Sequence, residues 1–322
     1  MLLILSDQFD IHADVVQSKL EACGVDFFRL NLDKESLQAT ILTYDGVNWT
    51  ICSQFGELKL EHVRQVWLRR AFVEVALEDS QSLDPDFQIW RAEWNKTLSG
   101  MYLDLASVPW LNPLRETFRA ENKYEQMRLA RKLGLKLPET LVSNDKNRLK
   151  RFAVEHDEVA LKLMSQELYV GEDGSVKGIF VNKLAPSDFD QFGECSENPV
   201  VLQKYIPKQF EVRYTVVGAD HHVCRIDSQL SQRTEVDWRR YDIPRTPHTP
   251  IEPPTVVRSK VTELMEHLGL EFGALDFIVT NSDEWYFLEI NPVGQWLWIE
   301  DLTGLPISDS VANWIIQHVA SP

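Results

Sequence analysis

The chain has 322 residues, enough for a large core divided over two or three subdomains. Hydrophobic residues make up 44% and charged residues 25%, an ordinary balance for a soluble globular protein, and the formal net charge is −16. That charge excludes a general nucleic-acid binder and a protein of anionic membranes, either of which needs a basic surface, while leaving room for a local basic pocket.

The opening run MLLILSDQ is too short for a signal peptide's apolar region or a membrane span and meets an acid at once, so it reads as a strand. A helix over 12–22 closed by Gly24, strands over 26–32 and 66–70, and a Trp-rich helix over 85–105 complete a small α/β unit. No GxGxxG follows its first strand, which argues against a dinucleotide site. Trp90, Trp94 and Trp110 are expected at an interface or in the core. VPWLNP, with two prolines between 108 and 113, marks a boundary. An amphipathic helix over 121–133 ends at Gly134. Beyond it come helix KNRLKRFAVE, strand EVALKLM, the hairpin-like ELYVGEDGSVKGIFVNK, a helix near 186–192 and strand VVLQKY. Pro207 breaks the chain before the strands FEVRYTVVG and HHVCRIDSQ. RTPHTPIEPPT, 245–255, reads as an exposed loop or linker. A helix over 256–268 precedes a hairpin, and a helix over 308–319 closes the chain. Cys23, Cys52, Cys195 and Cys224 form no CxxC pair, which suits reduced thiols and a cytoplasmic location.

The hairpin, GALDFIVTNSDEWYFLEINPVGQW, carries the most chemistry. A turn centred between Ser282 and Asp283 sets Asp276 opposite Glu289 and Ala274 opposite Asn291, all on one face, with Leu275, Phe277 and Val279 against Ile290, Leu288 and Tyr286 on the other. Like charges about 5 Å apart repel, so a cation belongs between them. Two carboxylates and an amide oxygen with open positions suit Mg²⁺. Lys123, Lys162 and Arg213 are cations among buried-looking neighbours, a pattern that fits a polyphosphate pocket which Arg225 and Arg239 could extend. Gln203, Lys204, Tyr205 and Ile206, before Pro207, offer backbone groups for a planar purine, and Glu211 an acceptor for ribose hydroxyls. Each of these signals also has a plain structural reading, as a snorkelling lysine or a solvated surface charge.

In order along the chain, lysine on a helix, lysine on a strand, a connecting strand with E-x-R, then L-D-F, E-I-N-P and D-L-T-G-L-P-I resemble the ATP-grasp superfamily. The stretch 274–307 is the most specific part. The chain resembles most the MvdD/RimK-like branch, the peptide maturases of graspetides of the microviridin type. The resemblance implies an ATP-grasp fold of α/β class with α+β subdomains. It divides into a pre-ATP-grasp α/β domain over 1–112, a central subdomain over 113–205 and a C-terminal subdomain over 206–322 that carries the Mg-ATP site. It makes Asp276, Glu289 and Asn291 the Mg²⁺ ligands, Lys123 and Lys162 the nucleotide-phosphate lysines, Gln203–Ile206 the adenine connector, and Glu211 the ribose acceptor. Arg213, with Arg225 and Arg239, becomes a group that holds the acyl phosphate. The loop after Lys162, LMSQEL, departs from the family by lacking the glycines that cover the phosphates.

The activity so implied is ATP-dependent activation of Asp or Glu side chains in a precursor peptide, closed into ω-ester or ω-amide crosslinks. A leader segment would dock on the second subdomain, where Glu172, Asp173, Asp188 and Asp190 could meet basic residues. The resemblance also implies an even-numbered assembly such as a homodimer, and the net charge of −16 argues against a nucleic-acid or membrane partner. Two alternatives stay open: a RimK-like ligase joining a free amino acid to a carboxylate, and a non-catalytic ATP-binding partner protein.

Overall fold

A computed structural model describes residues 1–75, 84–164, 168–170, 176–178, 181–190, 198–240 and 242–319. The N-terminal unit is built on a parallel sheet in the order Phe27–Asn31, Leu2–Ser6, Gln65–Leu68, Trp110–Leu111. Alternation along its first strand divides two cores. Leu3 and Leu5 face Trp49, Leu98, Met101 and Tyr102. Leu2 and Ile4 face helix Ile11–Ala22, but also Phe272, Trp296 and Val311 from the end of the chain. The N-terminal unit is thus fused to the C-terminal one by a shared apolar layer. Trp110 is core, and the partly buried Trp90 and Trp94 pack against that core. A small antiparallel sheet, Ile41–Tyr44, Trp49–Ser53 and Gly56–Lys59, was not foreseen; its outer strand is largely exposed and carries no buried alternation.

The central sheet runs Asn182–Leu184, Val159–Lys162, Val200–Lys204, Thr140–Ser143, with helix Lys146–His156 packed on it through Leu149 and Ala153. The C-terminal sheet has five antiparallel strands in the order His248–Pro250, Asp220–Ile226, Phe210–Val217, Phe272–Val279, Trp285–Asn291. The stretch expected as a linker over 245–255 therefore holds a short edge strand, where Pro250 is tolerated. Helix Thr255–Leu268 covers one face of this sheet.

The helix expected over 121–133 is present as Lys123–Lys132, and a further helix, Leu114–Glu121, directly precedes it. Asn122 separates them: its side chain accepts from the N–H groups of Tyr124 and Glu125, a cap that starts the second helix. Although they follow the proline boundary, both helices pack on the C-terminal sheet, with Ala120, Leu129 and Ala130 against Val212, Tyr214 and Leu275. Lys123 thereby opens a helix that points at the last strand. Among the described residues no helix is long and apolar enough to cross a membrane.

Candidate active site

The hairpin pairs as expected where it matters and differs nearby. Ala274 faces Asn291, Leu275 faces Ile290 and Asp276 faces Glu289. From Phe277 onward the register shifts by one, so Phe277 meets Phe287 and Val279 meets Trp285, rather than Leu288 and Tyr286. The turn is the cause. It closes at Thr280 N–H to Glu284 C=O with Asp283 at φ 58°, centred on Ser282 rather than between Ser282 and Asp283, and a β-bulge at Leu288 restores the register at the acids. The extra residue turns Leu288 into the cleft beside Ile278.

Arg213 pairs directly with Asp276 on the neighbouring strand, so one line across the sheet reads Arg213, Asp276, Glu289. Arg213 Nη1 donates to both Asp276 oxygens at 2.9 and 3.1 Å. Lys123 Nζ lies 2.9 Å from Glu289 Oε2. The row runs plus, minus, minus, plus, so each acid has a cation on its outer side to offset the repulsion between them. Burial pushes Asp276 up from the ordinary carboxylate value; Arg213 pulls it back in part, and Glu289 pushes it further up. Burial acts the same way on Glu289, but Lys123 and Lys162 outweigh it and hold Glu289 below its usual value. Burial lowers Lys162, against the pull of Glu289.

Two contiguous clefts meet at this row, sharing Lys162, Val181, Arg239 and Glu289. The first is walled by Pro138, Ala160, Ile206, Ile278 and Leu288, with Gln203, Lys204 and Tyr205 along the same side and Lys208 and Glu211 at its floor. The second carries Lys123, Gln126 and Asn291. Arg239 stands at their junction in a forked ion pair with Asp237, Nε to Oδ1 at 2.9 Å and Nη2 to Oδ2 at 2.8 Å. Two carboxylates and an amide on one sheet face, ringed by Arg213, Lys123, Lys162 and Arg239, form a donor set suited to Mg²⁺ bound together with a polyphosphate.

Other expected residues are placed differently. Arg225 pairs with Val212, and so faces the side of the sheet opposite Arg213, over the Phe210 ring and ion-paired with Asp227 at 2.6 Å. The structure does not bring it to the row. Glu211 is engaged by Lys208 at 2.7 Å and by Ser228. The N–H groups of Lys204 and Tyr205, expected to be free, donate to the carbonyls of Glu139 and Glu158. Gln203 donates to Thr140 Oγ1 at 3.1 Å, and its buried Oε1 has no partner among the described residues. Glu172 and Asp173 lie outside the described residues. Asp188 accepts from the Ala185 N–H at 2.7 Å and Asp190 is paired with Lys150, so each carboxylate already has a local partner. Leu163 and Met164, after Lys162, line the second cleft where glycines would be expected.

Four contributors were not read from the sequence: Lys208, Gln126, Arg69 and Asp10. The K-x-x-E spacing of Lys208 and Glu211 was a visible signal; the others had none. Arg69 Nε donates to Asp10 Oδ2 at 2.9 Å, and its Nη1 to the Val293 carbonyl just past Asn291 at 3.1 Å. His12 Nε2 accepts from the Trp296 N–H at 3.1 Å, which places the ring proton on Nδ1, toward Asp10. The N-terminal unit thus grips the loop that follows the acids. Burial would push Asp10 up, but His12 and Arg69 outweigh it and hold the carboxyl well below the usual range. A depressed folded-state value means that stability from Asp10 is complete above its unfolded value of about 4 and is lost as pH falls further. Thermal melts between pH 7 and pH 3 are expected to show this loss, and Asp10→Asn to flatten it.

Residues 1–117 match the model of the MvdD pre-ATP grasp domain. Among curated proteins compared by sequence, none matches. Among solved structures, a RiPP-associated ATP-grasp ligase of Chryseobacterium gregarium, in complex with ADP and a leader and core peptide, is 30% identical with a TM-score of 0.87, covering 100% of this chain and 97% of its own. The macrocyclase MdnC of Microcystis aeruginosa, bound with precursor peptide MdnA, is 29% identical with a TM-score of 0.85, covering 98% of this chain and 99% of its own. MdnB of the same organism is 30% identical with a TM-score of 0.78, covering 98% of each chain. At 30% identity over essentially the full length of both chains, the chain belongs to the RiPP-associated ATP-grasp ligases.

Proposed function

We propose that the protein is an ADP-forming ligase that activates Asp or Glu side chains of a ribosomal precursor peptide and closes them into intramolecular ω-esters or ω-amides. The observation that carries this reading is the charge row Arg213, Asp276, Glu289, Lys123 set between two clefts, with Lys162 and Arg239 beside it. The apolar walls and the Gln203–Ile206 side of the first cleft suit a nucleoside, and Lys208 and Glu211 its sugar. Asp276, Glu289 and Asn291 would hold Mg²⁺, which when bound offsets the negative charge of the phosphates. Lys123, Lys162 and Arg239 would hold the phosphoryl oxygens as the γ-phosphoryl group moves, so most of the protein's contribution is positioning and preformed charge. The substrate carboxylate oxygen forms a bond to γ-phosphorus as the bond to ADP breaks. A Ser or Thr hydroxyl or a Lys amine then forms a bond to the acyl carbon, the bond to phosphate breaks, and the nucleophile gives up its proton. The peptide loses one water for each crosslink.

The peptide partner is supported by two relatives of near-equal length that hold precursor, leader or core peptides. Free thiols at Cys23, Cys52 and Cys224 support a cytoplasmic setting, and a homodimer is the expected assembly. The test is intact-mass analysis of the precursor peptide encoded beside the gene, with Mg-ATP and without ATP. ADP together with loss of water is expected. ADP formation that requires an added free amino acid, with a gain of its mass, would replace this reading by the amino-acid ligase, and ATP binding without ADP formation would leave a binding module.

A further inference from the structure

The strand that carries Glu289 and Asn291 is the edge of its sheet, and among the described residues its outer side meets backbone only at an isolated bridge between Tyr286 and Lys136, four residues short of Ile290. At Ile290, between the two site residues, a side chain takes the place of a neighbouring strand. Gln126 Oε1 accepts from the Ile290 N–H at 3.0 Å, and its Nε2 donates to the Ile290 carbonyl at 2.8 Å. Nε2 also donates to the Ala120 carbonyl at 2.6 Å, tying the preceding helix to the same point. Gln126 is only 2% exposed, so these bonds have no water to replace them. Three residues earlier on the same helix face stands Lys123, paired with Glu289.

From this juxtaposition we infer that Gln126 is a positioning residue for the metal-binding pair: by fixing both backbone groups of Ile290, it sets the direction in which Glu289 and Asn291 project. Side chains along a strand alternate, so a rotation of the Ile290 peptides swings both flanking side chains at once. Asn112 makes a second clamp just beyond. Its Nδ2 donates to the carbonyls of Phe272 and Pro292 at 2.7 and 2.8 Å, and its Oδ1 accepts from the N–H groups of Glu271 and Phe272 at 2.8 Å each. Asn112 ties the strand ends together, whereas Gln126 acts between the two ligands and lines their cleft.

The inference rests on the metal reading above, and its test separates the two. In Gln126→Leu, the free Mg²⁺ concentration for half-maximal ADP formation is expected to rise about 10–100-fold, the usual cost of losing a group that orients a ligand. Affinity for ADP without metal should stay within about twofold, because no nucleotide contact is removed. Gln126→Glu, which keeps the volume and the Ile290 N–H bond but loses the donor, should shift the Mg²⁺ requirement in the same direction. An unchanged Mg²⁺ requirement with a lower melting temperature, a parallel loss of metal-free ADP binding, or failure of both variants to fold would each overturn the inference and leave Gln126 a purely structural group. A wild-type enzyme with no Mg²⁺ requirement would instead defeat the metal reading itself.

Discussion

Glu289→Gln is expected to lower ADP formation at saturating Mg²⁺ by at least about 10²-fold, equivalent to about 3 kcal/mol of transition-state stabilisation, while ADP binding without metal is kept or tightened. The two halves of this result have one cause. Lys123 and Lys162 hold Glu289 below its ordinary value despite burial, so the native group is an anion. Its loss removes a metal ligand and also takes away the nearest counter-charge of Lys123 and Lys162, while Arg239 keeps Asp237. Nucleotide phosphates then meet a more positive cleft. A coupled assay for ADP and calorimetric titration with ADP in chelator measure the two effects. Weakened metal-free binding in step with activity would show that Glu289 shapes the cleft rather than binding metal.

Arg213→Met is expected to destabilise the protein by about 3–5 kcal/mol near neutral pH, seen as a melting temperature lower by roughly 5–10 °C. Arg213 and Asp276 are both buried, and removing the guanidinium leaves Asp276 facing Glu289 without its hydrogen-bonded cation, with only the more distant Arg239 to offset it. Burial already raises Asp276 above its ordinary value with Arg213 present. Without Arg213 it rises further, so the folded variant holds its proton more tightly than the unfolded chain. The sign follows: the deficit relative to wild type is largest above the folded-state value and shrinks as pH falls toward the unfolded value of about 4. Replacing both, Arg213→Met with Asp276→Leu, should recover most of the stability and none of the activity. A deficit independent of pH would mean that lost packing against Trp238, 5.9 Å away, dominates instead.

Much of the site was legible because strands count in twos. The turn between Thr280 and Glu284 was off by one residue, yet the bulge at Leu288 cancelled the error where Asp276 meets Glu289. No local signal announces that bulge, since Leu288 suits either face. The same count applied to the two-residue turn between Val217 and Asp220 places Arg225 opposite Val212, away from the cleft, so that misplacement was avoidable. Lys123, Lys162 and Arg213 stood out as cations among buried-looking neighbours, and the structure sets the two lysines beside Glu289 and Arg213 against Asp276. Gln126 did not stand out: a glutamine on an amphipathic helix looks like a solvated residue until the edge strand it serves, 164 positions away, is in place. The grip of Arg69 on the Val293 carbonyl is hidden for the same reason, being a contact between the first and last units of the chain.

The central claim is that ATP is spent on a side-chain carboxylate of the peptide, and the fate of that carboxylate's oxygen tests it. A precursor peptide with oxygen-18 in its Asp and Glu side chains, incubated with the enzyme and Mg-ATP in ordinary water, should release inorganic phosphate carrying one oxygen-18 atom for each crosslink formed. Unlabelled phosphate released while the crosslinked peptide keeps all of its label would contradict an acyl phosphate, and with it the roles given to the charge row around Asp276 and Glu289.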